Sequence, residues 1–542
     1  MPVRVALVTA RRAEGMVREA ARRIAERTGW VVDVVVAPVE VAALIPRSVL
    51  EETLRGIRGR YDLVIVPGGI GYSLEGLEEA AGAPVVRGPR DAWDLELLAE
   101  LGDEGLEKLK ERGELTGELL LDKWLAELEE AYRGSPGLEA CGVKIPLRPP
   151  PVIVAAEVFL EKGHVEEKAE KAAELAGRGG HILVAGFGQG WSPEEALEAL
   201  DRVRSLLGGA PVAVDTPSLE VARAALEWGA CMLLSVGAWN AGWLAELPRR
   251  VPVVVTPVKE DGSLPSSPTE RVEVLGRVAG EARRLGYPVV LDPVVDAPGF
   301  GSLGVSVASY LLASLEFKNA PLMAGIANVY ELMDADSHGQ IAALTQVYAE
   351  AGASMILVSE ESRKARMAVT EAAIAATMTS ISLLKKRPPK GLGIDLLYAK
   401  EKREQPPASG LPKRPSMVLD AAGVAAWRPF RPDRVGSHRI ALEEGRIADY
   451  YIGRRGTVKI LGERAEDVYK AIAYMGYAGD PAHYAYLGYE LCKAEHALLM
   501  ERSYQQEKPL LIPPWRRRIQ LFDPRRALEK RARGPSPGSP AA

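Results

Sequence analysis

Residues 212–230 read VAVDTPSLEVARAALEWGA. Val212–Asp215 is a short apolar, β-branched run, the pattern of a strand buried on both faces, and it closes on a carboxylate. An amphipathic helix over Ser218–Trp228 follows, and Cys231–Val236 opens the next strand. Outward from this unit the same alternation recurs. The other strands fall at Val152–Ala156, His181–Ala185, Val253–Thr256, Val289–Asp292, Leu322–Ile326 and Ser354–Val358. Amphipathic helices at Val165–Arg178, Pro193–Leu207 and Pro268–Leu285 lie between strands, the last opened by a Ser267 cap and a proline at its first position. Eight strand–helix units within about 235 residues predict a closed (β/α)8 TIM barrel over 150–384, since such barrels typically need ~250 residues.

The remaining sequence flanks this barrel. Val3–Thr9, Val31–Val36, Leu63–Pro67 and Pro84–Val86 alternate with helices such as Glu14–Thr28, predicting a small parallel, Rossmann-like α/β domain over 1–146. Its Pro67-Gly68-Gly69-Ile70-Gly71 turn has neither the dinucleotide nor the P-loop order and reads as a tight turn. Leu147–Pro151 is a stiff boundary. The Lys-, Arg- and Pro-rich stretch 385–416 reads as a mobile linker. A small α+β domain is expected over 417–521, with helices at Ala465–Tyr474 and Tyr486–Met500. The composition of 531–542 predicts disorder.

The 542 residues carry a net charge of -5, and 26% of them are charged. A phosphate-tracking surface usually makes a domain basic, so nucleic acid is not the expected partner. The N-terminus does not read as a signal peptide, and Val289–Leu315 is too broken by Asp, Pro and Gly to span a membrane. A cytoplasmic protein is expected. Three asparagines in the whole chain suit a thermophile. Cys141, Cys231 and Cys492 are far apart without metal-binding spacing and read as three inert thiols.

Ligands of such barrels sit at the C-terminal ends of the strands. The residues closing the strands are Glu157, Gly186 to Gln189, Asp215, Ser235 with Asn240, Thr256, Asp292 with Asp296, Asn328, and Ser359 followed by Arg363 and Lys364. Several carboxylates therefore converge on one rim, where they can accept hydrogen bonds from the N–H groups of a flat heterocycle. For Asp215 and Asp292 the alternative is a helix-capping role. Asp334 and Asp336, after strand seven, are candidate Mg²⁺ ligands or a capped helix start. His483 and His496 read as structural histidines or ligands.

Val212–Thr216 with Val221–Ala230 resembles the third strand and helix of dihydropteroate synthases. Val290–Pro293 with Gly299–Gly301 resembles their sixth strand, and Ala324–Ile326 their seventh. The resemblance covers under half the chain and is shared by pterin-binding methyltransferases. It implies a pterin held by Asp215 and Asp292; Asn328, standing where the synthases carry Ser-Arg-Lys after strand seven, is expected to replace part of the lost polar contact. Strand one here reads Ala155-Ala156-Glu157-Val158-Phe159 where the synthases carry Asn-x-Thr-Pro-Asp. Strand two reads Gly186-Phe187-Gly188-Gln189-Gly190-Trp191 where they carry Ser-Thr-Arg-Pro. The basic residues expected after strand seven are absent, leaving Arg363 and Lys364 to meet a diphosphate. The leading expectation is an archaeal-type synthase joining a hydroxymethyl-dihydropterin diphosphate to an arylamine in folate or methanopterin-type coenzyme biosynthesis. Alternatives are pterin-dependent methyl transfer with a corrinoid, and non-catalytic pterin binding. Related barrels often pair, so a homodimer is a candidate assembly. The third domain looks like a small domain found in archaeal proteins linked to one-carbon metabolism.

Overall fold

The computed structural model describes residues 2–397, 399, 433–454 and 456–511. The chain divides into two compact units, Met1–Ser409 and Gly410–Ala542.

The first unit opens with β1 (Arg4–Ala10), β2 (Val31–Ala37), β3 (Leu63–Val66) and β4 (Val85–Arg87), a parallel sheet in the order β2-β1-β3-β4. Its strands are nearly all apolar because helices cover both faces. The glycine turn after β3 is a packing device. A Cβ on Gly68 would stand 2.2 Å from the Gly88 carbonyl oxygen, and one on Gly69 2.7 Å from the Ala43 Cβ.

A hairpin follows, β5 (Gly137–Ala140) and β6 (Val143–Pro146), and then the barrel. Its strands are β7 (Ile153–Leu160), β8 (Ile182–Phe187), β9 (Val212–Asp215), β10 (Leu233–Val236), β11 (Val253–Val255), β12 (Val289–Leu291), β13 (Leu322–Gly325) and β14 (Ala353–Ser359). They close in sequence order, with β14 pairing β7 in parallel. The expected eight-stranded barrel is therefore present.

Two apolar layers hold it. Outward residues such as Val154, Val214 and Leu291 pack against the surrounding helices. Inward residues, among them Ala155, Val184, Ala213, Val254, Val290, Met323 and Leu357, fill the lumen together with Ala140 and Ile145 of the hairpin. The hairpin thus plugs the N-terminal end of the barrel, although the sequence pattern assigns it to the preceding domain. Ser354 at the start of β14 bonds the Pro146 carbonyl beneath. Arg148 reaches the carbonyls of Ser314 (2.6 Å), Phe317 (3.0 Å) and Ala320 (2.9 Å), filling the acceptors left open at a helix C-terminus.

The expectation of three inert thiols fails here. Cys141, in the hairpin turn, and Cys231, ahead of β10, form a disulfide across 90 residues with Cα atoms 5.0 Å apart. Their separation in sequence hid a pairing that barrel closure creates.

The helix Ala368–Lys385 that ends the barrel also anchors the N-terminal sheet. Ile381 and Leu392 join the core of that domain, and Lys385 pairs with Glu100 (2.7 Å) and Glu127 (3.0 Å). Residues 386–397, the first part of the stretch expected to be mobile, are therefore packed in place. A Cβ on Gly117 would stand 2.0 Å from the Gly391 carbonyl oxygen. The rest of that stretch apart from residue 399, the edges of the expected third domain and the tail 531–542 lie outside the described residues.

The second unit has an antiparallel sheet, β15 (Gly436–Glu443), β16 (Arg446–Gly453) and β17 (Gly456–Gly462), and helices Ala465–Met475 and Pro481–Leu499. Ile447, Tyr451, Val468, Ile472 and Leu491 form its core. Among the described residues no helix is long and apolar enough to cross a membrane.

Candidate functional site

Side chains alternate in and out along a strand. Each lumen residue therefore predicts another two positions onward, and seven such positions form the layer at the C-terminal mouth. Ala155 leads to Glu157, Val184 to Gly186, Ala213 to Asp215, and Val254 to Thr256. Val290 leads to Asp292, Met323 to Gly325, and Leu357 to Ser359. β10 breaks the pattern, since its register shifts between Leu233 and Val236. The mouth layer thus holds three carboxyls, two hydroxyls and two glycines above an apolar lumen.

The glycines shape this layer. A Cβ on Gly186 would stand 2.9 Å from Glu157 Oε1, so the glutamate lies across the end of β8. A Cβ on Gly325 would meet nothing nearer than Asn328 Nδ2 at 3.9 Å, which leaves open space on that side.

The carboxyls are placed against electrostatic preference. Burial raises Glu157 to about 8, helped by the charges of Asp215 and Glu361. Burial and then Asp292 raise Asp215 to about 6. Asp292 is raised to about 6 by burial, although the Tyr310 hydroxyl, the Val294 N–H and Arg271 favour its charged form. Neutral pH therefore leaves both aspartates largely ionised and Glu157 protonated. Two acceptors and one donor face the opening.

Asp292 is held on one oxygen. The Val294 N–H donates to Oδ1 at 2.8 Å, and the Tyr310 hydroxyl lies 2.7 Å from it. Val294 adopts φ 69°, a left-handed conformation that a β-branched residue resists. Buried Arg271 offsets that strain. Its guanidinium donates to the carbonyls of Val294 (2.9 Å) and Pro265 (2.8 Å) and grips Asp296 through two bonds of 2.7 and 2.9 Å. Asp296 also accepts from the Ser302 N–H at 3.1 Å and the Ser306 hydroxyl at 3.0 Å.

Asp296 is thus corrected from a ligand candidate to the anchor of the loop that presents Asp292. Asn240 is corrected likewise. It is buried, accepts from the Gly237 N–H at 2.8 Å and donates to the Ser235 carbonyl at 3.1 Å, so it shapes the turn after β10. Asn328 stands exposed over the mouth, its Nδ2 donating to the Val295 carbonyl at 2.9 Å. Ser359 pairs in register with Glu157, and its backbone is clasped by the Tyr330 hydroxyl. Gln189 and Arg363 are exposed on the rim. Lys364 donates to the Met333 carbonyl at 2.6 Å and lies 3.8 Å from Asp334.

Asp334 and Asp336 do not fit a metal ion. Asp334 points into solvent beside Lys364, and Asp336 precedes the helix Ser337–Glu350. Among the described residues there is no group of three or more His, Cys, Asp or Glu side chains that could hold a cation.

Sequence reasoning missed Tyr310, Arg271 and Glu361, which act across elements. The Phe159 N–H donates to Glu361 Oε1 at 3.2 Å. Nothing local in the sequence marks such partners. In the second unit His438 Nδ1 lies 2.7 Å from Asp449, with both side chains fully buried, and His483 pairs with Asp433 at 2.8 Å. His496 Nδ1 lies 2.8 Å from the Cys492 carbonyl oxygen. His438 and His483 are thus each held by a buried aspartate, whereas the His496 ring is exposed.

Residues 432–507 match the family model described as PterinBD-DUF4346. An uncharacterized protein of Methanocaldococcus jannaschii is 26% identical over 541 residues, covering 94% of this chain and 99% of that one. Two solved dihydropteroate synthases are also similar. The Xanthomonas albilineans enzyme, in complex with indole-2-carboxylic acid and 6-chloroguanine, is 26% identical, with 47% of this chain and 100% of that one covered and a TM-score of 0.35. The Thermus thermophilus enzyme is 24% identical, with 46% and 99% covered and a TM-score of 0.35.

Proposed function

We propose that the barrel mouth binds a reduced pterin and that the chain is a dihydropteroate-synthase-like transferase acting on the carbon unit attached to it. One observation carries the proposal: three largely buried carboxyls from three strand ends lie close together, and the nearby cation of Arg271 is already gripped by Asp296. Such a site is costly when empty. A flat ring whose edge carries several N–H donors relieves the cost by bonding to Asp215 and Asp292. Protonated Glu157 complements a ring oxygen or nitrogen acceptor. The strand motifs point the same way.

In the synthase reaction the bond between the pterin methylene carbon and the diphosphate oxygen breaks, and its electron pair leaves with pyrophosphate. An arylamine nitrogen bonds the carbon and loses a proton. In this chain Asp215 and Asp292 would fix the ring, Asn328 would cover it, and Arg363 and Lys364 on the rim would meet the leaving group. No step is assigned to Mg²⁺, since Asp334 and Asp336 do not form a cation site. A homodimer, and a cytoplasmic place in folate or methanopterin-type coenzyme synthesis, belong to the same proposal.

One feature favours a second reading, methyl transfer between a reduced pterin and a corrinoid. Lys364 is already engaged by Met333 and Asp334, and the charges of Asp215 and Glu361 stand beside the mouth, where a diphosphate would be repelled. Calorimetric titration with 6-hydroxymethyl-dihydropterin diphosphate, followed by an assay of arylamine-dependent pyrophosphate release, separates the readings. Binding with release supports the synthase. Binding of the pterin indifferent to its diphosphate, without release, supports methyl transfer or simple binding. Absence of any pterin binding refutes the proposal.

A further inference from the structure

We infer that Thr256 is a recognition residue of the barrel mouth, its hydroxyl bonding the bound heterocycle beside Asp292. The inference rests on the pterin reading of the site.

Thr256 is 6% exposed, and its Oγ1 is buried with no hydrogen-bond partner among the described residues. It stands two positions beyond Val254, a lumen residue, so strand alternation directs its side chain inward. Its backbone is already committed, since the Thr256 N–H donates to the Val236 carbonyl at 2.9 Å. The neighbouring Asp292 N–H donates to the Val255 carbonyl at 2.8 Å, which fixes hydroxyl and carboxylate on adjacent strand ends.

A buried hydroxyl without a partner is unfavourable, and valine would fill the same volume on a β-strand without that penalty. Some buried hydroxyls of the barrel avoid the cost, and those of Thr345, on the helix Ser337–Glu350, and Ser362 lack a partner as well but do not stand on a strand facing the lumen. Ser309 and Ser380 each donate to the carbonyl four residues back in their helices, at 2.7 and 2.6 Å. A strand offers no such carbonyl, so Thr256 depends on something entering the mouth.

The chemistry of that partner follows from the neighbours. Asp292, largely ionised at neutral pH, only accepts. A hydroxyl can donate, and so supplies what the carboxylate lacks. A ring edge that places an acceptor nitrogen or carbonyl next to its N–H donors satisfies both residues together. Thr256 thereby selects for an alternating donor–acceptor edge over a ring presenting donors alone.

The test compares wild type, Thr256→Val and Thr256→Ser in calorimetric titration with 6-hydroxymethylpterin, alongside thermal melting of the ligand-free proteins. Valine is expected to weaken binding about five- to tenfold, the usual effect of losing one neutral hydrogen bond. It should leave the melting temperature unchanged or raised. Serine should bind within about twofold of wild type, because it retains the hydroxyl. Wild-type affinity in the valine variant overturns the inference and leaves the pterin reading intact. Equal losses in both variants, with lowered melting, assign Thr256 to packing and also overturn it. Failure of the wild type itself to bind the pterin overturns both.

Discussion

Asp215→Asn should make the ligand-free protein more stable while removing its affinity for a pterin. The side chain ordinarily titrates near 3.8 and is held at about 6 in the fold, first by burial and then by Asp292. That difference corresponds to about 3 kcal/mol. The folded state binds the proton more tightly than the unfolded one, so the favourable contribution is complete below pH 3.8. It is lost as pH rises to about 6, and above that the ionised carboxylate imposes the full penalty. An amide of the same shape carries no such charge. At pH 7 the barrel transition of Asp215→Asn should therefore lie up to about 6–10 °C above wild type in scanning calorimetry. The gap should close as the pH is lowered from about 6 to about 4, where the wild-type group takes up its proton. A variant that melts below wild type at pH 7, or keeps one offset at both pH values, would show that the carboxylate is already compensated within the protein. A donor-rich ligand would then no longer be needed to relieve it.

Glu157→Gln should give a similar gain with a different profile, since Glu157 is raised from 4.5 to about 8; its advantage in melting temperature should grow as pH rises from about 4.5 to about 8 and level off above that. Gly325→Ala should leave melting within about 0.5 kcal/mol of wild type, because its Cβ enters open space, yet weaken pterin binding more than about tenfold in titration. Arg271→Ala strands the buried Asp296 carboxylate and should cost about 3–5 kcal/mol, read as a lower denaturation midpoint. Cys231→Ser opens a 90-residue loop and should cost about 4–5 kcal/mol, and wild type in dithiothreitol should fall to the same value.

The barrel was legible because its strands are buried on both faces. Runs such as Val212–Asp215 and Val253–Thr256 are continuous and apolar, and the count of eight distinguishes closure from an open sheet. Asp215 and Asp292 were legible for a related reason, a carboxylate closing an apolar strand being conspicuous. Thr256 was visible in the sequence as a strand-closing residue, but a threonine there carries no alarm until its hydroxyl is found without a partner. The residues that hold Asp292 were hidden. Arg271 reads as one of many helix-face arginines, and Tyr310 as part of an apolar helix; their meaning depends on which strands meet in space. Asn240 and Asp296 misled for the converse reason, since a polar residue following a strand bonds to its own loop as readily as to a ligand. The hairpin 137–146 and the Cys141–Cys231 bond depend on contacts formed only when the chain closes on itself.

The plug at the closed end of the barrel divides the labour of the fold along a single axis. One terminus of the cylinder is cross-linked and sealed, and traffic of small molecules is confined to the other. Substitutions at the sealed end therefore bear on robustness, whereas those at the open end bear on what the mouth can hold. The strand-one and strand-two ends, where this sequence departs most from the synthase pattern, belong to that open end. A scaffold so partitioned can change what its open end holds without first being rebuilt.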